Sequence, residues 1–340
     1  MQALHDLTMV FKKYLGLYAE KILTANLPKS ASLAATLLKD VGHSGDIKLS
    51  TDEQYTACCI LNTAEYCLDT TEQLEGKLKQ KVGEEKVDMI GEQDAYHEVI
   101  TNCIQLLVRA LETQCEPGLT TMAKTKWDMV EEVGDTSPYV SVVGKAVSQF
   151  VPFVRSSLAA SRKYFTNFCM KFVNSFIPRI IASIYKCSKL STVAAEQLLL
   201  DMQSMRTVLL ELPSFGSAVA RKPPASYTRF VTKSMMKAEM VLKVVMSPHV
   251  PPSLYVDDFL KLLGDDEGLA GFQKVLDMKG LKKAEMQPLL EAYKAVAKDG
   301  AESTESSKKG GKSTSSGGGS SGGSKRSSIR KLQSMMKRFQ

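Results

Sequence analysis

From Phe11 to Ala297 apolar residues recur every three or four positions, and no stretch alternates apolar and polar with a period of two. The first pattern builds the buried stripe of a helix and the second the buried face of a strand, so the chain is restricted to an all-α fold. Caps and prolines cut the pattern into segments. Phe11 to Leu23 form a helix that ends near Pro28. Ser50 and Glu53 form a capping box, each side chain serving a free backbone N–H at a helix start. Behind it Ile60, Ala64, Cys67, Thr71, Leu74 and Leu78 make one stripe that ends near Gly83. The next helix, from about Gln93 to Gln114, is expected to stop at Glu116-Pro117-Gly118, because proline donates no hydrogen bond and clashes with the preceding turn. A shorter helix from Leu119 to Glu132 carries the single tryptophan, Trp127. Pro138 sits at a first helical position and opens a helical pattern to Lys186, with kinks or breaks expected at Pro152 and Pro178. Ser191 caps a helix running to Pro213, and Pro223-Pro224 starts another that the run Pro248 to Pro252 ends. Two or three short helices follow, to about Ala297.

These breaks divide the chain into a first helical bundle over 1–134, long kinked connecting helices over 135–186 and a C-terminal helical bundle over 187–298. A disordered Ser/Gly/Lys linker over 299–326 and a basic amphipathic tail over 327–340 complete it. The linker composition buries too little apolar surface to offset its ordering entropy. The architecture expected is consecutive antiparallel bundles stacked into an elongated rod. Charge follows the same division. The 340-residue chain carries a formal +7, but residues 299–340 hold nine Lys/Arg against three Asp/Glu. The other 298 residues hold 35 basic and 34 acidic groups, so no diffuse nucleic-acid-binding face is expected.

Chemistry-bearing motifs are sparse. Zinc sites need Cys or His paired at short spacing. Cys58, Cys59, Cys67, Cys103, Cys115, Cys169 and Cys187 contain no C-x-x-C, and His5, His43, His97 and His249 are far apart. The thiols read as reduced core residues of a cytosolic protein. Gly310-Gly311-Lys312-Ser313 resembles the end of a phosphate-binding loop, but Ser306 stands where that motif needs glycine. There is no H-E-x-x-H, and G-x-S-x-G occurs only within the Ser/Gly-rich linker rather than as a strand-to-helix elbow, so no catalytic residue, metal or cofactor is expected and the chain reads as non-enzymatic. The most apolar stretch, Phe172 to Tyr185, is interrupted by Asn174, Pro178 and Arg179. A span needs roughly 20 mostly apolar residues, so membrane association is expected to be peripheral.

Two surfaces stand out as candidates for binding. Arg221, Lys222, Tyr227, Arg229 and Lys233 cluster around the Pro223-Pro224 helix start. Positive charge there is not favoured by the helix dipole, which marks the cluster as a candidate partner-binding patch. In the tail, Arg330, Lys331, Lys337 and Arg338 lie opposite Ile329, Leu332, Met335, Met336 and Phe339. Such a segment can lie in an anionic membrane interface or in a partner groove. An alternative reading of the whole chain is therefore a helical membrane-surface adaptor that binds anionic lipid through this tail.

The strings Ile60–Leu68, Val133–Val140, Ser161–Cys169, Ala195–Asp201, Pro224–Thr228, Ala238–Met246 and Phe272–Leu281 occur in this order. Together they resemble the family of vacuolar protein sorting-associated protein 53, over roughly residues 4–297. The resemblance implies stacked helical bundles, as in subunits of other multisubunit tethers. It implies a subunit of the Golgi-associated retrograde protein (GARP) complex and of the related EARP complex. The activity implied is capture of endosome-derived vesicles at the trans-Golgi network, with retrograde transport and endosomal recycling by protein–protein binding. Implied partners are the other subunits, SNAREs and small GTPases, and the implied location is cytosolic, peripheral to trans-Golgi and endosome membranes. Family members carry a long N-terminal region with coiled coils ahead of the matched part, so the match falls on the projecting arm. The family has no catalytic residues to carry over, and the Gly/Ser-rich tail lies outside the resemblance.

Overall fold

The computed structural model describes residues 2–28, 47–83, 87–219, 222–264 and 267–306. Among them every regular element is helical. Helix α1 (Gln2–Leu17) passes through a π-helical turn (Tyr18–Leu23) into a 3-10 turn (Thr24–Asn26). Then come α2 (Thr51–Val82), α3 (Ile90–Lys124), α4 (Pro138–Ser157), α5 (Arg162–Ile184) and α6 (Thr192–Glu211). The series ends with α7 (Ala225–Met246), α8 (Pro252–Leu263), α9 (Gly268–Lys279) and α10 (Lys283–Ser306). The chain forms two compact units, Met1–Tyr293 and Lys294–Gln340. In the second, only the end of α10 is described, and it continues helical to Ser306, past the composition change at Asp299 where a linker was expected. The tail over 327–340 lies outside the described residues.

Two helices organise the first unit. α3 packs against α1, α2, α4 and α5, and α7 against α5, α6, α8 and α9. One continuous core runs through it from Ala19 to Tyr293. Burying each Leu, Val or Phe in such a core contributes about 1.5–3 kcal/mol. Aromatic contacts tie the last helices together: the Phe272 ring lies 4.9 Å from Phe259 and 4.8 Å from Tyr293.

Local chemistry sets several boundaries as expected. The Ser50–Glu53 capping box opens α2, Gly83 closes it, Pro138 stands at the start of α4, and the Ser191 hydroxyl accepts from Ala194 N–H at 3.0 Å. The π turn has a packing cause. Leu15, Ala19 and Leu23 face inward four residues apart, a step that drifts by about 40° in an α-helix. The wider π turn keeps Ala19 and Leu23 buried while Tyr18 and Ile22 stay exposed.

The expected stop at Pro117 is corrected. α3 does not stop at Pro117; it runs 35 residues with Pro117 inside, so Leu119 to Lys124 continue the same helix. Trp127 sits in a 3-10 turn just beyond, its Nε1–H donating to the Met122 carbonyl at 3.0 Å. An interior proline costs about 3 kcal/mol. Burial on both flanks offsets this, since Leu111, Cys115, Leu119 and Met122 are all nearly inaccessible. Pro152 and Pro178 likewise lie inside α4 and α5. The break falls instead at Leu158–Ser161, where α2 grips the chain. Asn62 Nδ2 donates to the Ser157 carbonyl at 2.9 Å, and the Ser161 hydroxyl donates to the Glu65 carboxylate.

Candidate interaction surface

α7 is built to face two ways. Pro224 occupies its N-cap position with φ −54° and ψ 139°. From there Tyr227, Val231, Met235, Ala238, Leu242 and Val245 turn inward at helical spacing, all buried. Tyr227, expected on the contact surface, belongs to this stripe and is corrected to a core residue. Its hydroxyl donates to the Leu209 carbonyl at 2.6 Å, and burial pushes the phenol well above its ordinary pKa.

The C-terminal end of α7 is saturated. Lys279 Nζ donates to the Val245 carbonyl at 2.5 Å and the Ser247 carbonyl at 2.9 Å, and lies 5.3 Å from the Tyr255 ring. Burial pulls this ammonium down to about 8. Along the helix, Glu239 accepts from Arg206 at 2.7 Å and Lys237 pairs with Glu267.

The N-terminal half presents the opposite. No side chain caps the helix start, and its first turn holds no acidic residue. Lys222 and Pro223, together with one face of α7, line a shallow groove of about 670 Å³. Ala225, Thr228 and Thr232 form a row of small residues along it, with Met236 at the far end, 44% exposed. Lys222, Arg229 and Lys233 stand exposed beside that row. None of these cations pairs with a described acidic residue. The arrangement can take up negative charge next to apolar and hydroxyl surface, and it holds no nucleophile paired with a base. Of the sequence-derived patch, Lys222, Arg229 and Lys233 therefore share the groove, Tyr227 leaves it, and Arg221 lies outside the described residues. The tail candidates Arg330, Lys331, Lys337, Arg338 and Phe339 also lie outside them. Sequence reading missed Thr228, Thr232 and Met236, although their four-residue spacing places them on one face.

Several polar side chains elsewhere are turned to internal use. Asp201, wholly buried on α6, accepts from Ser137 N–H at 2.9 Å, Tyr139 O–H at 2.8 Å and Gln197 Nε2–H at 3.2 Å. Gln197 also accepts from Gly134 N–H at 2.8 Å and donates to the Asp135 carbonyl at 2.9 Å. α6 thus anchors the backbone that leads into α4, whose N-cap Ser137 makes no side-chain cap hydrogen bond. Glu112, buried on α3, accepts from Arg109 and from Arg179 of α5, each at 3.1 Å. All seven cysteines are free, and burial pushes Cys58, Cys103 and Cys187 up to about 12. Among the described residues no group of three or more His, Cys, Asp or Glu could hold a metal ion, and no helix is long and apolar enough to cross a membrane.

Residues 196–281, which include most of α6, the groove and all of α7 to α9, match the family model of the vacuolar protein sorting-associated protein 53 C-terminus. The chain is 36% identical over 298 residues to the vacuolar protein sorting-associated protein 53 homolog of Caenorhabditis elegans, covering 86% of this chain and 37% of that protein. To vacuolar protein sorting-associated protein 53 A of Arabidopsis thaliana it is 35% identical over 299 residues, covering 86% of this chain and 34% of that protein. The chain spans about a third of the length of these relatives. No solved structure shows a significant match.

Proposed function

We propose, from the premise that this chain is homologous to vacuolar protein sorting-associated protein 53 across much of its length, that it is a helical binding module of a GARP/EARP-type vesicle-tethering complex. The observation that carries the proposal is the match over 298 residues, which takes in both hub helices and the groove between Lys222 and Met236. On this reading the module helps capture endosome-derived vesicles at the trans-Golgi network and supports retrograde transport and endosomal recycling. It works by contact. Its faces hold other complex subunits, SNAREs or small GTPases, and the protein sits on those membranes peripherally. No bond is made or broken in such a role, so an assembly of packed helices with an open groove is sufficient for it. The basic tail adds weak attraction to anionic membrane on the same reading; flotation with anionic liposomes, with and without residues 325–340, measures that addition.

Affinity purification of this chain from cells, followed by mass spectrometry, tests the central proposal. Recovery of the other three complex subunits is the expected result. Their consistent absence from a folded, well-expressed bait would sink the reading.

A further inference from the structure

We propose that the groove on α7 docks an acidic amphipathic α-helix of a partner protein, its carboxylates four residues apart and set against Arg229 and Lys233. This goes beyond the tethering role by naming the chemistry of the occupant, and it rests only on the groove being a binding face.

Charge is the first argument. Lys222, Arg229 and Lys233 lie on one face and pair with no described acid, whereas the neighbouring Lys237 and Arg206 are each matched to a glutamate. A complementary occupant must therefore bring negative charge. Spacing is the second. Arg229 and Lys233 are separated by four residues, about 6 Å along the axis, the repeat at which Asp or Glu recurs on one face of a helix. Shape is the third. Helices pack at interaxial distances of about 8–10 Å, and close approach needs small side chains at the crossing. Ala225, Thr228 and Thr232 supply that floor, and Met236 offers a pliable apolar contact at its end.

The same features disfavour other anionic surfaces. A membrane is approached by protruding apolar side chains rather than by a recessed row of Ala and Thr. Nucleic acid calls for a basic excess across the body, and residues 1–298 carry 35 basic against 34 acidic groups.

The test uses the full chain to select from a phage-displayed library of helical peptides about 16 residues long, enough for four turns. Enriched peptides are then measured against the Arg229→Glu/Lys233→Glu double variant. A second double variant, Lys124→Glu/Lys126→Glu, reverses exposed charge elsewhere. Enrichment of Asp or Glu at four-residue spacing flanked by apolar residues supports the proposal. So does a loss of at least about tenfold in affinity, equivalent to 1.4 kcal/mol, in the groove variant alone. Circular dichroism melting of both variants close to that of the parent shows that the loss is not unfolding. Enrichment of non-acidic peptides, no enrichment, or equal loss in both variants overturns it. Binding of phosphatidylserine vesicles, or dimerisation of the chain, that depends on Arg229 and Lys233 while no peptide does so overturns it as well. Failure here leaves co-purification with complex subunits untouched, so the two readings can fall separately.

Discussion

Two regions on either side of α6 use polar side chains in opposite ways. At the corner between Gly134 and Tyr139, α6 binds the chain closely: Gln197 and Asp201 together take three backbone groups and one phenol. Just before and along the N-terminal half of α7, three cations stand without an ion pair to any described acid. Polar groups of the first kind hold the chain to itself, because removing any one strands its buried partners. Polar groups of the second kind contribute little to folding, so their charge is available to something outside the chain. The difference separates residues that make the fold from residues free to make a contact.

Substitutions can break or sharpen that division. Asp201→Ala should have the largest effect, a loss of about 3 kcal/mol, since it strands donors on Ser137, Tyr139 and Gln197. Urea unfolding followed by circular dichroism measures it, and a loss below about 1 kcal/mol would mean the corner does not depend on this carboxylate. Gly118→Ala comes next, at about 2 kcal/mol of overpacking. A Cβ there would meet Val143 Cγ2 at 2.7 Å and the Tyr139 carbonyl at 2.9 Å, prising α4 from α3. Tyr139→Phe removes one donor from Asp201 and keeps the ring on Trp127; a shift of about 1–2 kcal/mol is expected in the same measurement. Arg229→Ala and Lys233→Ala should move stability by less than about 0.5 kcal/mol. A larger change in either would place these residues with the fold-making group and weaken the case for an open groove.

How much of this could be read in advance depended on distance along the chain. The Ser50 capping box, Gly83, Pro138 and Ser191 were legible because each boundary is decided by residues next to it. Pro117 misled because its local cost is outweighed by packing with helices distant in sequence. Leu158-Ala159-Ala160-Ser161 contains good helix formers, so the helical pattern from Pro138 runs straight through it. What ends α4 there is a pair of contacts from Asn62 and Glu65, about a hundred positions away in sequence, which local propensity cannot register. In the groove the cations are visible in the sequence, and Tyr227 stands among them only by proximity. The helical period already placed it with Val231 and Met235, facing the core.

The unbroken course of α3 has a mechanical consequence. Its 35 residues extend about 50 Å as a single beam. A beam yields first where its hydrogen-bond ladder has a rung missing, and here that rung is the Thr113 carbonyl, which Pro117 cannot serve. Gly118 sets α4 directly against the same turn, so the weak point is splinted by a second helix. Tension applied at one end of α3 is then carried to the other with the compliant rung braced. Gly118→Ala would loosen the splint and leave the beam a hinge.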